Sequence, residues 1–259
     1  MPNSITFIGL GIISIEFASI AVKAGVETHM IHVDDQPLRG FYSAHVEKLM
    51  DKLKEEGVHF HMSENVVAVK ENGTNYDVVT QSGLTIQSDY VLDATGRMPN
   101  VEGIGLEEVG IEYSKFGVKV DEYLRTNVPN IYASGDVIEK MIPKLTPTAT
   151  FESNYIAAHI LKMNEMPIQY PAIPSVLYSL PRLSNIGVGI EEAKNNDEYK
   201  VIDIPFGKRM VFEYKNETEA EMTIVLDSEK RLVGAAIYGD DAPDLINLLT
   251  FIVNQKLTA

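Results

Sequence analysis

Ser4-Ile5-Thr6-Phe7-Ile8-Gly9-Leu10-Gly11-Ile12-Ile13-Ser14 is the stretch that decides the fold. A short β-type run feeds directly into Gly-x-Gly-x-x-Ser. A helical pattern then covers about Ile13–Ala24, with Ile15, Ala18 and Val22 on one stripe and Gly25 as the stop. The first glycine of such a turn permits a tight reversal, and the second lets backbone approach a diphosphate. The third position must be small, so that helix can lie against strand. Ser14 is small, and the helix start offers free N–H groups and its dipole to an anion. With a strand before and a helix after, the turn reads as dinucleotide-binding; a purely structural glycine turn is the alternative.

Outward from there, Glu27–Val33 reads as a second strand. Val46, Leu49, Met50 and Leu53 mark an amphipathic helix ending at Gly57, and Val58–His61 is a third strand. Parallel strands need such helical crossovers, so the opening segment is βαβαβ. The residue that reads an adenosine ribose belongs at the end of the second strand, where His32, Val33, Asp34 and Asp35 stand. A plain solvated strand end is the alternative reading there. Strands without helices follow at Asn65–Glu71, Tyr76–Thr80 and Thr85–Ser88, separated by the turn signals Asn72-Gly73 and Ser82-Gly83. Tyr90–Ala94 is a further strand, another ends at Ile131–Asp136, a helix covers Phe151–Lys162, and Met166–Pro174 is a linker. Beyond it the pattern is antiparallel: Val176–Ser179, Asn185–Gly187, Lys200–Ile204, Met210–Tyr214, Glu221–Leu226 and Leu232–Tyr238. Pro243–Gln255 closes as a helix whose Leu245, Leu248, Leu249 and Ile252 stripe suits either self-association or packing on its own sheet.

Lys and Arg number 22 against 37 Asp and Glu, and a net charge of −15 repels nucleic acid and acidic membrane surfaces. The absence of cysteine removes disulfides, thiolate zinc sites and cysteine nucleophiles, and fits a cytoplasmic protein. Ile5–Ile15 lacks a basic segment before it and is too short to span a bilayer, as is Leu245–Gln255, so no membrane partner is expected. His29, His59 and His61 fall on strands and His45 and His159 on helices. None forms a metal-binding pair, and no G-x-S-x-G elbow occurs.

Gly9–Ala18 (GLGIISIEFA), Ala94–Asn100 (ATGRMPN) and Ile131–Asp136 (IYASGD) stand in that order, followed by Leu145-Thr146-Pro147, Pro174–Tyr178 (PSVLY) and Ile186–Gly189 (IGVG). Together they resemble the pyridine nucleotide–disulfide oxidoreductases, the family of glutathione reductase, dihydrolipoamide dehydrogenase and mercuric reductase. The resemblance implies an α/β fold. It places a Rossmann-like NAD(P)-binding domain over 1–95, the C-terminal part of an FAD-binding domain over 96–162, and an α+β dimerisation domain over 163–259. It further implies a homodimer, and a piece of a longer enzyme. Family members also carry an N-terminal FAD half with a redox-active cysteine pair, and a His-Pro-Thr…Glu stretch near the end; neither occurs in these residues.

In such an enzyme hydride passes from NAD(P)H to FAD and on to a disulfide. These residues would bind and orient the cofactors, contribute no catalytic residue, and be inactive alone. The residues implied to hold cofactor are Gly9, Leu10, Gly11, Ile13, Ser14, Glu16, His32, Arg39 and Gly96 for the nicotinamide dinucleotide, with Asp136 and Thr146 for FAD. Two departures stand out. Ile12 replaces a Tyr that gates the nicotinamide in many members. Val33 replaces the first of two arginines of the NADP-dependent members, although Arg39 matches the second. Asp34 and Asp35 then favour NADH over NADPH, and FAD binding is expected to be very weak. A flavin-free NAD(P)-dependent dehydrogenase and a non-catalytic nucleotide-binding dimer module are the rival readings.

Overall fold

The β-branched and aromatic residues of β1 (Ser4–Ile8) and the residues that follow it build βαβαβ in order. They are α1 (Ile12–Lys23), β2 (Glu27–Ile31), α2 (Ser43–Glu55) and β3 (Val58–His61). An antiparallel meander follows, β4 (Val66–Asn72), β5 (Asn75–Thr80) and β6 (Thr85–Ser88), and then β7 (Tyr90–Asp93). The parallel sheet runs β3-β2-β1-β7. Strand side chains alternate between faces, so a sheet covered on both sides needs apolar residues on both. Phe7, Met30 and Val58 pack with Ile15, Ala18, Val46, Leu49 and Leu53 of the helices. Ile31 packs with Val78 and Ile86 of the meander. The second strand stops at Ile31 rather than Val33, because its neighbours end there: Ile8 and His61 are the last residues paired with Ile31.

The computed structural model describes residues 1–258. It contains two compact units, Arg97–Ile173 and the rest of the chain. Arg97–Ile173 has little regular structure: β8 (Tyr113–Ser114), β9 (Gly117–Val118), a 3₁₀ turn at Gly135–Val137 and α3 (Thr146–Ile160). The strand expected to end at Ile131–Asp136 is not formed; only Tyr132 bridges to Arg125. Asp121 Oδ1 accepts from the N–H groups of Tyr123 and Arg125, and Leu124 takes φ 59°, so the partner segment is bent into a turn. The helix starts at Thr146 rather than Phe151. Pro147 lies in its first turn, where the missing N–H has no intrahelical partner to lose.

From Pro174 the chain forms β10 (Ser175–Leu177), β11 (Leu183–Gly187), α4 (Ile190–Lys194), β12 (Lys200–Ile204), α5 (Met210–Tyr214), β13 (Glu221–Leu226), β14 (Leu232–Tyr238) and α6 (Ala242–Asn254). The antiparallel sheet runs β10-β11-β14-β13-β12. Met210–Tyr214, expected as a strand, is helical. β13 already has β12 and β14 on its two sides, so that edge is closed, and Phe212 packs on Phe206 instead. Leu177, Leu183 and Tyr238 of this sheet join the cluster built on Phe7 and Leu49, so this sheet and the parallel one share one core. On α6, Ala242 and Ile246 are fully buried while Leu248 and Phe251 are 65% and 64% exposed. Of the expected stripe, Leu245, Leu249 and Ile252 are half-buried and Leu248 is exposed, so the face set on the sheet is that of Ala242 and Ile246. Among the described residues no helix is long and apolar enough to cross a membrane.

Candidate dinucleotide site

Gly9 ends β1 at φ +93°, and a Cβ there would lie 2.8 Å from the Ala94 carbonyl oxygen. The turn is pinned by Gly9 N–H donating to Ile31 O (2.8 Å) and Ala94 N–H donating to Ile8 O (2.9 Å). Only glycine fits this crossing of three strand ends. Gly11 differs: its φ of −91° suits any residue, and a Cβ there would meet nothing within 4 Å. The glycine keeps open the space in front of α1. No side chain caps that helix and no acid stands in its first turn, so free N–H groups face the opening. Ser14, the small third residue, is fully buried with its hydroxyl unpartnered, which fits close packing of α1 rather than ligand contact. These features suit a diphosphate: an open approach, uncapped donors and no competing carboxylate.

The end of β2 gathers charge. His32 Nδ1 accepts from Leu10 N–H at 3.3 Å, and His32 Nε2 lies 3.1 Å from Asp34 Oδ1. Arg39 Nη2 donates to Asp34 Oδ2 at 2.5 Å. The N–H of Gln36, with Arg39 and His32 nearby, holds the Asp34 carboxyl below its ordinary range. Val33 is 61% exposed and brings no charge. A small cavity of about 130 Å³ opens here, lined by Gly9, His32, Val33, Glu64, Asn65 and Thr95 among others. At the other end of α1's first turns, Glu16 Oε1 accepts from the backbone N–H of Tyr178 at 2.7 Å, bringing the Pro174–Tyr178 motif to the helix.

Gly9, Gly11, Ser14, His32 and Arg39 therefore gather around the β1–α1 turn and the end of β2. Ile13 is 41% exposed on α1, whereas the Leu10 side chain is 1% exposed in the core, leaving its backbone to face the turn. Gly96, at φ +142°, has no atom near its would-be Cβ.

In the Arg97–Ile173 unit, Asp136 lies on the 3₁₀ turn with Arg97 Nη1 3.8 Å away. Thr146 opens α3, whose first turn has neither a side-chain cap nor an acid. Sequence reasoning did not single out the residue that holds this turn. Glu152 is fully buried and accepts from Gly135 N–H (2.6 Å), Lys140 Nζ (2.6 Å) and the Tyr170 hydroxyl (2.8 Å). Burial and the bond to Glu152 drive the Tyr170 phenol up. A Glu in the middle of a helical stretch gives no sign in sequence that it will be buried.

A cleft of about 910 Å³ beside the C-terminal half of α2 includes none of the glycine-turn residues. Its charges pair among themselves, as in Lys23–Glu56 and Lys48–Glu221, both at 2.6 Å.

Residues 1–153 match the family described as pyridine nucleotide-disulphide oxidoreductase, and residues 173–259 match its dimerisation domain. Glutathione reductase of Burkholderia cepacia is 34% identical over 263 residues, 99% of this chain and 58% of that protein. A dihydrolipoyl dehydrogenase of Bacillus subtilis is 34% identical over 266 residues, all of this chain and 56% of that one. The chain thus spans a little over half the length of these relatives. In fold it superimposes on LpdA from Mycobacterium tuberculosis with a TM-score of 0.91 at 22% identity, over 99% of this chain and 56% of that one. The HOCl-induced flavoprotein disulfide reductase RclA from Escherichia coli gives 0.88 at 21%, over 99% and 59%.

Proposed function

The chain belongs to the pyridine nucleotide-disulphide oxidoreductase family, and on that premise we propose that it binds a nicotinamide dinucleotide at the β1–α1 turn as part of a flavin-dependent NAD(P)H:disulfide oxidoreductase. The family is FAD-dependent and uses NAD(P)H. When bound, the nicotinamide and flavin supply the hydride chemistry. The 259 residues contain no cysteine, so their own side chains bind and orient rather than exchange disulfides. The domain reading goes with this function: nucleotide binding in 1–95, a flavin-contacting part in 96–162 and dimerisation in 163–259. The match of 173–259 to the dimerisation domain supports a homodimer.

The observation that carries the reading is the pairing of Gly9, closed by the strand ends, with Gly11, open to solvent before an uncapped helix. The diphosphate would lie over Gly11 and the N–H groups of α1, with the adenosine ribose toward His32 and Arg39. The nicotinamide would lie toward Ile13 and Glu16, whose carboxylate is already aimed by Tyr178 N–H. Gly96 would lie beside the dinucleotide, and Asp136 and Thr146 would take part of the flavin.

NADH is the favoured cofactor. Arg39 is engaged by Asp34 at 2.5 Å, and Val33 supplies no second cation for a 2′-phosphate. A 2′-phosphate adds about −1.5 to −2 charge, so a modest preference of roughly tenfold is expected at ~1 kcal/mol per charge in near-aqueous surroundings.

Gly11→Asp tests the site. The carboxylate caps α1, so stability holds or rises by a few tenths of a kcal/mol, roughly the Gly-to-Asp capping difference. The same carboxylate occupies the diphosphate's place, and NADH affinity measured by calorimetry should fall at least ~10-fold through charge repulsion and lost space. A folded variant that binds NADH like the parent would refute the site.

A further inference from the structure

The loop joining β2 to α2 is not free. Its start is tied to the glycine turn: Leu38 N–H donates to Leu10 O at 3.1 Å, and Arg39 reaches Asp34. Leu38 holds φ 50° with its side chain 5% exposed in the core, so core packing keeps a leucine in the left-handed region there. Its end is tied to the antiparallel sheet, within the same compact unit. Asn185 Nδ2, on β11, donates to Gly40 O at 2.8 Å. Lys194 Nζ, at the end of α4, donates to the Tyr42 hydroxyl at 2.5 Å and sits 4.6 Å from that ring's centre. Glu191 Oε1, also on α4, accepts from both the N–H (3.2 Å) and the hydroxyl of Ser43. Tyr42 itself packs on the cluster of Ile190, Ala193 and Val225.

These contacts fall on consecutive parts of one loop. Moreover, Asn185 makes its contact at a cost, because its own Oδ1 is buried without a partner. An amide held half-satisfied against a backbone carbonyl fixes where that carbonyl, and Arg39 beside it, can lie.

We propose that Asn185, Glu191 and Lys194 are positioning residues for the adenosine end of the dinucleotide: the sheet that matches the dimerisation domain sets the position of Arg39 and Asp34, and through them the discrimination between NADH and NADPH. This rests on the dinucleotide site proposed above. The three side chains touch no cofactor. They act through Gly40, Tyr42 and Ser43, one to four residues from Arg39. Loosening the loop lets Arg39 leave Asp34, which lowers NADH affinity and relieves the penalty on a 2′-phosphate.

The test is calorimetric titration of the full chain with NADH, NADPH and reduced nicotinamide mononucleotide, which lacks the adenosine. Asn185→Ala and Lys194→Met, singly and together, are compared with Lys194→Arg as the conservative control. In the double variant, NADH affinity should fall roughly three- to tenfold, the size of one or two net hydrogen bonds. The NADH:NADPH ratio should narrow by at least threefold, the mononucleotide should bind unchanged, and Lys194→Arg should recover most of the NADH affinity. An unaltered NADH:NADPH ratio in folded variants overturns the proposal. So does equal weakening of all three ligands, which is the mark of general structural damage. Should the double variant not fold, Lys194→Met alone, at the exposed end of α4, decides by the same ratio. Failure of the dinucleotide site itself would read differently: the unaltered chain would then bind NADH no better than the mononucleotide.

Discussion

Acid should loosen α2 from the antiparallel sheet through His45. This side chain lies on α2 with 1% of the residue exposed, between the rings of Tyr42 and Tyr238, and its Nε2 is 3.3 Å from Glu221 Oε1 without hydrogen-bond alignment. Lys48 reaches the same Glu221 oxygen at 2.6 Å. Burial strips hydration from the imidazolium and lowers His45 to about 4; Glu221 and Asp203 oppose this, and Lys48 adds to it. An unfolded histidine titrates near 6.5, so between about pH 6.5 and 4 the unfolded chain binds the proton and the folded chain does not. Stability is therefore full above pH 6.5 and is lost as pH falls through this window. Over the whole window the loss is about 3 kcal/mol at 1.36 kcal/mol per unit. From pH 7 to pH 5 it is about 2 kcal/mol, because the folded group is still largely neutral at pH 5. Urea unfolding followed by far-UV circular dichroism at both pH values, for the parent chain and His45→Gln, measures it. Gln cannot titrate, so the parent should lose about 2 kcal/mol more than the variant across that interval, or about 4–8 °C in a thermal scan. Equal pH dependence in the two proteins would refute the argument, whatever their difference at pH 7.

Gly9→Ala forces a Cβ to within 2.8 Å of Ala94 O at φ +93°, and should cost at least ~1–2 kcal/mol in chemical denaturation; a neutral result would mean the strand ends yield. Glu152→Ala strips the acceptor from Lys140, which is 6% exposed, and from Gly135 N–H, so a loss of about 3–5 kcal/mol is expected in the Arg97–Ile173 unit, read by hydrogen exchange at Gly135. Leu248→Lys with Phe251→Lys places two charges on the exposed face of α6. Light scattering should show the proposed dimer shifting toward a 28.7 kDa monomer, and a dimer of unchanged affinity would locate the interface elsewhere.

Local pattern made much of this molecule legible. Ser4–Ile8, Val58–His61, Thr85–Ser88 and Lys200–Ile204 form at the residues their alternation marks, since strand periodicity is written in consecutive side chains. Met210–Tyr214 misleads because its composition suits a strand, while β13, the strand that follows it, already has β12 and β14 on its two sides. Ile131–Asp136 misleads for the converse reason: Asp121 bends its partner segment into a turn, so pairing stops at the single Tyr132–Arg125 bridge.

The residues Gly9, Gly11 and Ser14 by themselves determined that a strand, a tight turn and a helix follow one another, and that an anion could approach there. Those are properties of backbone freedom and side-chain size, carried by each residue wherever it goes. Tertiary structure alone decided which charges meet: that Arg39 is taken by Asp34, that Glu152 lies under Gly135, that Asn185 and Lys194 hold the loop beside Arg39. Charged and amide groups have no periodic signature. Their partners lie up to 162 residues away, and their energies depend on distance and burial, which exist only once the chain has folded.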